Sequence, residues 1–384
     1  MKKIRLLTPG PTPVPERLSL RMAQPMIHHR SPEFEQVFAR VREGLSWLFQ
    51  TKGDVVQFAA SGTGAMEAAV VNFLRRGDEA IVVDAGKFGE RWAKLAKSYG
   101  VNAVVLKVDW GSAVDPGAVD RALREHPNAA AVFVQANESS TGVKHPVEQL
   151  ARITKGHKAI LVVDAISALG AFDLPFDAWG VDVMVSGSQK ALALPPGLSF
   201  LAANDKAWKL NETADLPRFY FDLKRERDSQ RKNQTAWTPA ISLVLGLDES
   251  LQMMREEGLV ACFERHERLA RGARAGMQAL GLELYAKAPS AAMTTVVAPQ
   301  GVDSEKLVKH LFKQYGIKLV GGQDAAKGKI FRIAHLGYFD EFDMLVVVGA
   351  IERGLADLGA RVQFGAGLSA AQKAMAEAAP ATRS

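Results

Sequence analysis

Short, largely apolar runs alternate with helical patterns through the first half of the chain. The runs occupy residues 55–59, 80–83, 103–108, 130–134, 159–163, 181–186 and 198–202. Strands that are apolar on both faces and recur between helices are typical of βαβ units, in which helices cover both faces of a parallel sheet. The sequence therefore predicts an α/β fold with a mainly parallel, seven-stranded sheet.

The 384 residues are enough for two domains. We predict a proline-rich N-terminal arm at residues 1–20, where the prolines disfavour helix and strand. A large domain is expected at residues 21–254 and a smaller α+β domain at residues 255–362. The Ala-rich tail at residues 363–384 is weakly patterned, which is typical of a frayed helix or disorder.

Composition excludes several classes of protein. The net charge of +6 arises from 48 basic and 42 acidic residues, a small excess that favours small anionic substrates over nucleic acid. The mixed charges of Lys224 to Lys232 predict a solvated segment without a binding role. Cys262 is the only cysteine, so the chain has no intrachain disulfide and no multi-cysteine metal site. Without a run of about 20 apolar residues, no membrane span is expected and the cytosol is the predicted location.

Lys190 lies in the run SGSQKALALPPG, after a buried strand and before a Pro-Pro-Gly turn. An amine at the carboxyl edge of the sheet, once desolvated, is suited to Schiff-base chemistry. The run by itself is more typical of a lysine in a surface loop.

Asp164 ends the strand in AILVVDA at the same edge of the predicted sheet. A carboxylate there can pair with a protonated pyridine nitrogen, although a strand-end aspartate can also cap a helix. Together, Lys190 and Asp164 favour a bound pyridoxal 5′-phosphate (PLP).

Two further runs can bind anions. Ser61, Gly62 and Thr63 link a strand to a helix, whose N-terminal N–H groups can bind a phosphate; a plain glycine turn is the alternative. The turn has neither the lysine of a Walker loop nor the glycine spacing of a dinucleotide site. Arg332, on a predicted strand of the small domain, can bind a carboxylate through two hydrogen bonds or form a structural ion pair.

Taken in order, these runs resemble the class V aminotransferases of the fold-type I PLP enzymes, especially the alanine–glyoxylate, serine–glyoxylate and serine–pyruvate group. The resemblance covers nearly the whole chain. It is carried by TPGPTPVP, HHRSPEF, SGTGAMEAA, NESSTGV, VVDAISALGA, SGSQKALALPPG and FRIAHLG.

The resemblance implies roles for the cofactor-binding residues. Lys190 would form the Schiff base (an aldimine) and carry the proton between substrate and cofactor, while Asp164 would hold the pyridine nitrogen. Gln189 would join Ser61, Gly62 and Thr63 at the phosphate. The ring of Phe88 would stack on the cofactor, and Ser139 would lie near its ring oxygen.

The resemblance also implies a homodimer with active sites shared across the interface. Thr235 and Thr238, in NQTAWTPA, would complete the phosphate site of the second subunit. Gly10, His28 and His29 would border the substrate pocket; a packed or solvated histidine is the alternative.

By resemblance, the chain would carry out a ping-pong transamination from alanine or serine to glyoxylate or pyruvate, with Arg332 binding each carboxylate in turn. Open alternatives are an aspartate- or aminoethylphosphonate-type transaminase, a lyase or desulfurase of the same fold, and a non-catalytic accessory subunit. A nucleotide-binding oxidoreductase would need a GxGxxG run after the first strand, which the sequence lacks.

Overall fold

The computed structural model describes residues 2–377, which contain fourteen strands and fourteen α-helices. The strands are β1 (Arg5–Leu6), β2 (Val55–Phe58), β3 (Glu79–Asp84), β4 (Asn102–Lys107), β5 (Ala131–Gln135), β6 (Asn137–Glu138), β7 (Val143–Lys144), β8 (Ile160–Asp164), β9 (Val183–Gly187), β10 (Ser199–Ala203), β11 (Met293–Val297), β12 (Ile317–Lys318), β13 (Val320–Gly321) and β14 (Ile330–Ala334).

The helices are α1 (Glu16–Met22), α2 (Pro32–Phe49), α3 (Gly62–Phe73), α4 (Lys87–Ser98), α5 (Pro116–Glu125), α6 (Val147–Lys155), α7 (Phe176–Trp179), α8 (Asp205–Asn211), α9 (Leu223–Gln230), α10 (Ile241–Glu257), α11 (Leu259–Ala279), α12 (Ser304–Tyr315), α13 (Glu341–Asp357) and α14 (Ala366–Ala376). Within this part of the chain, no helix is both long and apolar enough to cross a membrane.

A seven-stranded sheet forms the centre of the large domain, in the order β2-β10-β9-β8-β5-β3-β4. Only β10 runs against its neighbours β2 and β9; the other pairs are parallel. Each of the seven apolar runs in the sequence coincides with one of these strands, so the predicted mainly parallel α/β fold is confirmed.

The sheet separates two hydrophobic cores. Successive side chains of a strand point to opposite faces. In β5, Val132 and Val134 enter the core on the side of α2 and α6, whereas Phe133 enters the core on the side of α3 and α4 and stacks on Trp92. Both faces are therefore buried, which explains why the strands carry apolar residues at nearly every position.

The small domain contains a three-stranded antiparallel sheet in the order β11-β14-β13, together with helices α11 to α14. Its last helix, α14, differs from the weak pattern expected of the tail. Ala371 and Met375 of α14 are buried, and Met375 approaches Gly272 of α11. Tertiary packing stabilises this helix where the local sequence does not; residues 378–384 of the predicted tail lie outside the described residues.

The N-terminal arm contains regular structure that the prolines led us not to expect. Strand β1 pairs in parallel with β12 of the small domain, before the first proline of the chain. Helix α1 begins directly after Pro15, a position where proline does not interrupt helical hydrogen bonds. The arm thus contacts the small domain before it reaches the edge of the large sheet.

Candidate active site

Asp164 and Lys190 meet at the carboxyl edge of the central sheet. Asp164 is the last residue of β8 and pairs in register with Val185 of β9, and β9 ends three residues before Lys190. Both side chains line one cavity of about 190 Å³. The structure thus brings together the two residues that the sequence predicted to lie at one edge of the sheet.

The Lys190 amine reaches the N-terminal arm, where it donates a hydrogen bond to the Pro9 carbonyl oxygen. Desolvation lowers the pKa of this amine to about 8, against the opposing attraction of the Asp164 carboxylate. Gly10 lies so close that a β-carbon there would overlap the lysine side chain, and its φ of +136° also favours glycine. Gly10 therefore borders the reactive amine.

The Asp164 carboxyl group is buried, and desolvation raises its pKa to about 7. A hydrogen bond of 2.8 Å from the Ile166 N–H to Oδ1 opposes this shift, as does the positive charge of Lys190. A cation placed beside the carboxyl group would favour its ionised form.

Ser61, Gly62 and Thr63 line the same cavity at the N-terminus of α3, where Ser61 is the N-cap. A β-carbon on Gly62 would lie 2.5 Å from Ile166 Cδ1, so the close approach of backbone and neighbour requires glycine. The first N–H groups of a helix have no intrahelical acceptor, so this end of α3 can bind an anion. Gln189 lines the cavity beside it.

Phe88 and Ser139 also line the cavity, together with Ile166 and three polar residues that sequence reasoning missed, Arg91, Asn137 and Ser167. The Arg91 guanidinium lies 4.8 Å from the centre of the Phe88 ring and donates a hydrogen bond of 3.1 Å to Thr63 Oγ1. Asn137 donates a hydrogen bond of 2.8 Å to Ser167 Oγ, which also contacts Ser139 Oγ. Their only sequence signal was proximity to the recognised runs.

Arg332 extends from β14 and is buried. Its Nη1 donates to the Ser139 carbonyl oxygen at 2.7 Å, and its Nε and Nη2 donate to the Gly321 carbonyl oxygen at 3.1 and 2.9 Å. Desolvation lowers the pKa of the guanidinium to about 10. Carbonyl oxygens hold the guanidinium, and no acid pairs with it within 4 Å among the described residues. Arg332 itself does not line the cavity, but Ser139, whose carbonyl oxygen it contacts, does.

The structure does not bring His28, His29, Thr235 or Thr238 into this cavity. The two segments that contain them meet where Arg30 donates a hydrogen bond of 2.6 Å to Gln234 Oε1. His28 and Thr238 are exposed, whereas Thr235 is buried and donates to the Trp237 carbonyl oxygen at 2.6 Å. None of the four contributes to the site of its own chain.

The fold and site define a class of protein. A mainly parallel seven-stranded sheet followed by a smaller domain is the architecture of the fold-type I PLP enzymes. The ureidoglycine–glyoxylate aminotransferase of Bacillus subtilis superimposes with a TM-score of 0.92, over 97% of this chain and 98% of that chain, at 28% sequence identity.

The family to which the chain belongs is narrower than this fold class. A family model described as aminotransferase class-V matches residues 15–337, so the chain belongs to the class V aminotransferase family. The prediction of a transaminase from the sequence is confirmed at this level.

Two relatives span nearly the full chain. The soluble hydrogenase small subunit of a Synechococcus species is 44% identical, with 98% of this chain and 99% of that protein covered. The serine–glyoxylate aminotransferase of Methylorubrum extorquens is 35% identical, with 97% of this chain and 96% of that protein covered. The names of these relatives therefore point to two different roles.

Proposed function

We propose that this chain is a PLP-dependent aminotransferase that moves the amino group of a small amino acid, alanine or serine, to glyoxylate or pyruvate in a ping-pong reaction. The observation that carries the proposal is the single cavity that contains the Lys190 amine, the Asp164 carboxyl group and the N-terminus of α3. These groups match the aldehyde, the ring nitrogen and the phosphate of PLP respectively.

Buried polar atoms of the cavity support this fit. Gln189 Oε1 and Asn137 Oδ1 are buried and have no hydrogen-bond partner within residues 2–377, although buried polar atoms are normally paired. PLP would offer acceptors through its phosphate and ring oxygens, toward which the Gln189 amide would turn its NH₂ group. When bound, PLP provides an aldehyde for amines and a ring that withdraws electrons from the substrate carbon.

The residues of the chain would then divide the work. Lys190, whose burial keeps part of its population neutral near pH 8, would carry the proton between the substrate carbon and the cofactor. Asp164 would keep the ring nitrogen protonated. Arg332 would bind the carboxylate that all candidate amino and keto acids share, which lets one site serve both half-reactions.

The proposed substrates are small. The relative named a serine–glyoxylate aminotransferase and the solved structure named a ureidoglycine–glyoxylate aminotransferase both have glyoxylate in their names. A turnover assay with a panel of amino donors separates aspartate- and aminoethylphosphonate-type donors from alanine and serine.

A second candidate function is a non-catalytic accessory subunit, because the 44% identical relative is named a hydrogenase subunit. A subunit without catalysis would need none of the chemistry at the sheet edge. The complete set of lysine, aspartate and anion-binding turn around one cavity favours the transaminase.

We also propose that the chain acts as a homodimer with shared sites. Beside the segment that contains Thr235 and Thr238, Phe219 is 69% exposed and Tyr220 is 41% exposed, and both rings lie next to Trp237. Exposed aromatic clusters of this kind mark protein interfaces. A partner subunit covering this face would receive the two threonines and His28 near its own site.

The test is reconstitution with PLP. Wild-type protein should gain a visible absorption band that shifts when alanine or serine is added, and a panel of amino and keto acids should identify the pair with the highest turnover. Lys190→Ala should lower turnover by at least about a thousandfold, since both the nucleophile and the proton carrier are lost.

The control is Lys224→Ala, in the exposed charged segment, which should leave the band and turnover unchanged. A wild-type protein that takes up no PLP, or a Lys190→Ala variant with normal turnover, would exclude the transaminase and favour the accessory subunit.

A further inference from the structure

Glu138 is a buried carboxylate to which the proposed reaction assigns no step. It ends β6 and has 0% exposed surface. Its Oε2 accepts hydrogen bonds of 3.1 Å from the N–H groups of Phe88 and Gly89. Its Oε1 accepts hydrogen bonds from Ser140, at 3.1 Å from N–H and 2.6 Å from the hydroxyl. Four donors converge on one side chain, which assigns it as an acceptor on both oxygens and therefore as ionised.

One side of this network fixes the position of Phe88. The N–H groups of Lys87, Phe88 and Gly89 begin α4 and have no acceptor within the helix. Ser140 Oγ accepts from Lys87 at 3.0 Å, and Glu138 accepts from the other two. The segment at residues 138–140 therefore caps the N-terminus of α4 and aligns the backbone that carries the Phe88 ring.

The close approach of the two segments depends on Gly86. A β-carbon there would lie 2.7 Å from Glu138 Cδ, closer than non-bonded carbons come. The sequence thus places glycine where the carboxylate must reach the helix.

The other side of the network reaches Arg332. The Ser139 carbonyl and the Ser140 N–H belong to the same planar peptide group. Glu138 accepts from its N–H while Arg332 Nη1 donates to its oxygen at 2.7 Å. Both ends of the peptide are bound, so the carboxylate orients the carbonyl that holds the guanidinium.

We propose that Glu138 is a positioning residue, whose one ionised carboxylate sets the Phe88 ring and the Arg332 guanidinium in register across the cavity. The inference rests on the proposed function, because it assigns Phe88 to the cofactor and Arg332 to the substrate carboxylate. Loss of the carboxylate should therefore weaken the binding of both cofactor and substrate, although Glu138 is not assigned a contact with either.

The hydrogen bonds to Glu138 oppose the effect of its burial. Burial raises the pKa of Glu138 overall, and the hydrogen bonds from Ser140, Gly89 and Phe88 limit that rise. The negative charge also opposes the fall in the pKa of Arg332 that burial causes. A neutral side chain of the same size would lose both effects.

The experiment compares Glu138→Gln with Glu148→Gln, a matched change at a glutamate of α6 whose side chain is 43% exposed. Glutamine keeps the size of the side chain but turns one acceptor into an NH₂ group that faces N–H or O–H donors. The dissociation constant for PLP and the KM for the amino donor should each rise about tenfold, the effect of losing one hydrogen bond to a charged group. Glu148→Gln should change neither.

A cofactor-independent readout separates this inference from the proposed function. In PLP-free protein, Glu138→Gln should speed the hydrogen exchange of the Phe88 and Gly89 amides about tenfold relative to wild type. If wild type binds no PLP, the proposed function fails whereas amide exchange still reports on the network. If Glu138→Gln binds PLP as wild type does and keeps normal amide protection, the inference fails and the proposed function stands.

Phe88→Leu completes the test. Because Glu138 is inferred to act on the cofactor through Phe88, the double variant should bind PLP no more weakly than about the worse single variant. Additive losses would overturn the link. If Glu138→Gln does not fold, Ser140→Ala, which removes one donor to the carboxylate, should raise the PLP dissociation constant about threefold, and an unchanged value would contradict the inference.

Discussion

Lys190 and Asp164 respond in opposite directions to the same removal of water. Burial disfavours charge, so it lowers the pKa of the amine to about 8 and raises that of the carboxyl group to about 7. An amine that loses its proton near neutral pH can attack an aldehyde, which an ordinary lysine does poorly. The cavity thus prepares the amine before any substrate arrives.

His266 shows a second effect of burial at the residue scale. Its Nδ1 contacts the Cys262 carbonyl oxygen at 2.6 Å and its Nε2 accepts from the Gly337 N–H at 2.9 Å, so the ring is neutral with the proton on Nδ1. Burial, with the nearby charge of Arg265, lowers its pKa to about 3. The ring joins α11 to the turn before α13.

This histidine should make the protein sensitive to acid. Between pH 6.5 and 3 the unfolded chain binds a proton that the folded His266 does not, so the stability it contributes falls as the pH drops through that window. Measured by urea unfolding, the stability difference between wild type and His266→Asn should shrink by about 2 kcal/mol from pH 7 to pH 5.

The control is Gln278→Asn, an uncharged change at an exposed residue of the same helix, for which the difference from wild type should be the same at both pH values. Parallel pH curves for wild type and His266→Asn would contradict the assignment of a neutral, buried ring.

At this scale the site residues that follow strands could be predicted from the sequence. Site residues that lie a few positions away from them were missed. Asp164 and Lys190 follow apolar runs at one sheet edge, which can be inferred from strand direction alone. Arg91 lies three residues after Phe88 on the same helix and Ser167 three after Asp164, but side-chain direction across the cavity depends on tertiary packing that no local pattern contains. The same reason hides Glu138.

At the scale of elements, helix α14 depends on a close approach to α11. A β-carbon on Gly272 would lie 2.5 Å from Met375 Cγ. Gly272→Val should therefore destabilise the protein by about 1–3 kcal/mol in urea unfolding, because the side chain must push α14 away. In the double variant with Met375→Ala the shorter side chain makes room, so the combined loss should be smaller than the sum of the single losses.

Additive losses would show that α14 does not pack on Gly272 in solution.

Elements with strong internal patterns were predictable, and those that depend on partners were not. The seven central strands are apolar on both faces because helices cover both, and that pattern is written in each strand. Strand β1 and helix α14 have no such pattern. Strand β1 pairs with β12, which lies more than a hundred residues away in the chain. Helix α14 packs on α11, about a hundred residues away.

At the scale of the whole molecule, a shared site should allow two defective subunits to restore each other. Lys190→Ala lacks the amine but offers an intact 235–238 segment; a variant with Thr235→Ala and Thr238→Ala has the reverse defect. After dissociation and random reassociation in equal amounts, activity should recover to about a quarter of wild type, since half of the dimers are mixed and each contains one intact site.

Light scattering should show a dimer for wild type and both variants. A monomer, or a mixture no more active than the average of its two components, would contradict the proposal of a shared site.

The N-terminal arm connects the parts of the molecule that transamination must coordinate. The N–H groups of Arg5 and Leu7 donate to the Gly316 and Lys318 carbonyl oxygens of the small domain. Thr12 Oγ1 donates to the Lys190 carbonyl oxygen at 2.9 Å, and Pro9 accepts from the Lys190 amine. A swing of the small domain would pull this short tether and shift the carbonyl on which the amine rests. Under the proposed function, movement of the domain that carries Arg332 and release of the Lys190 amine would thereby be coupled.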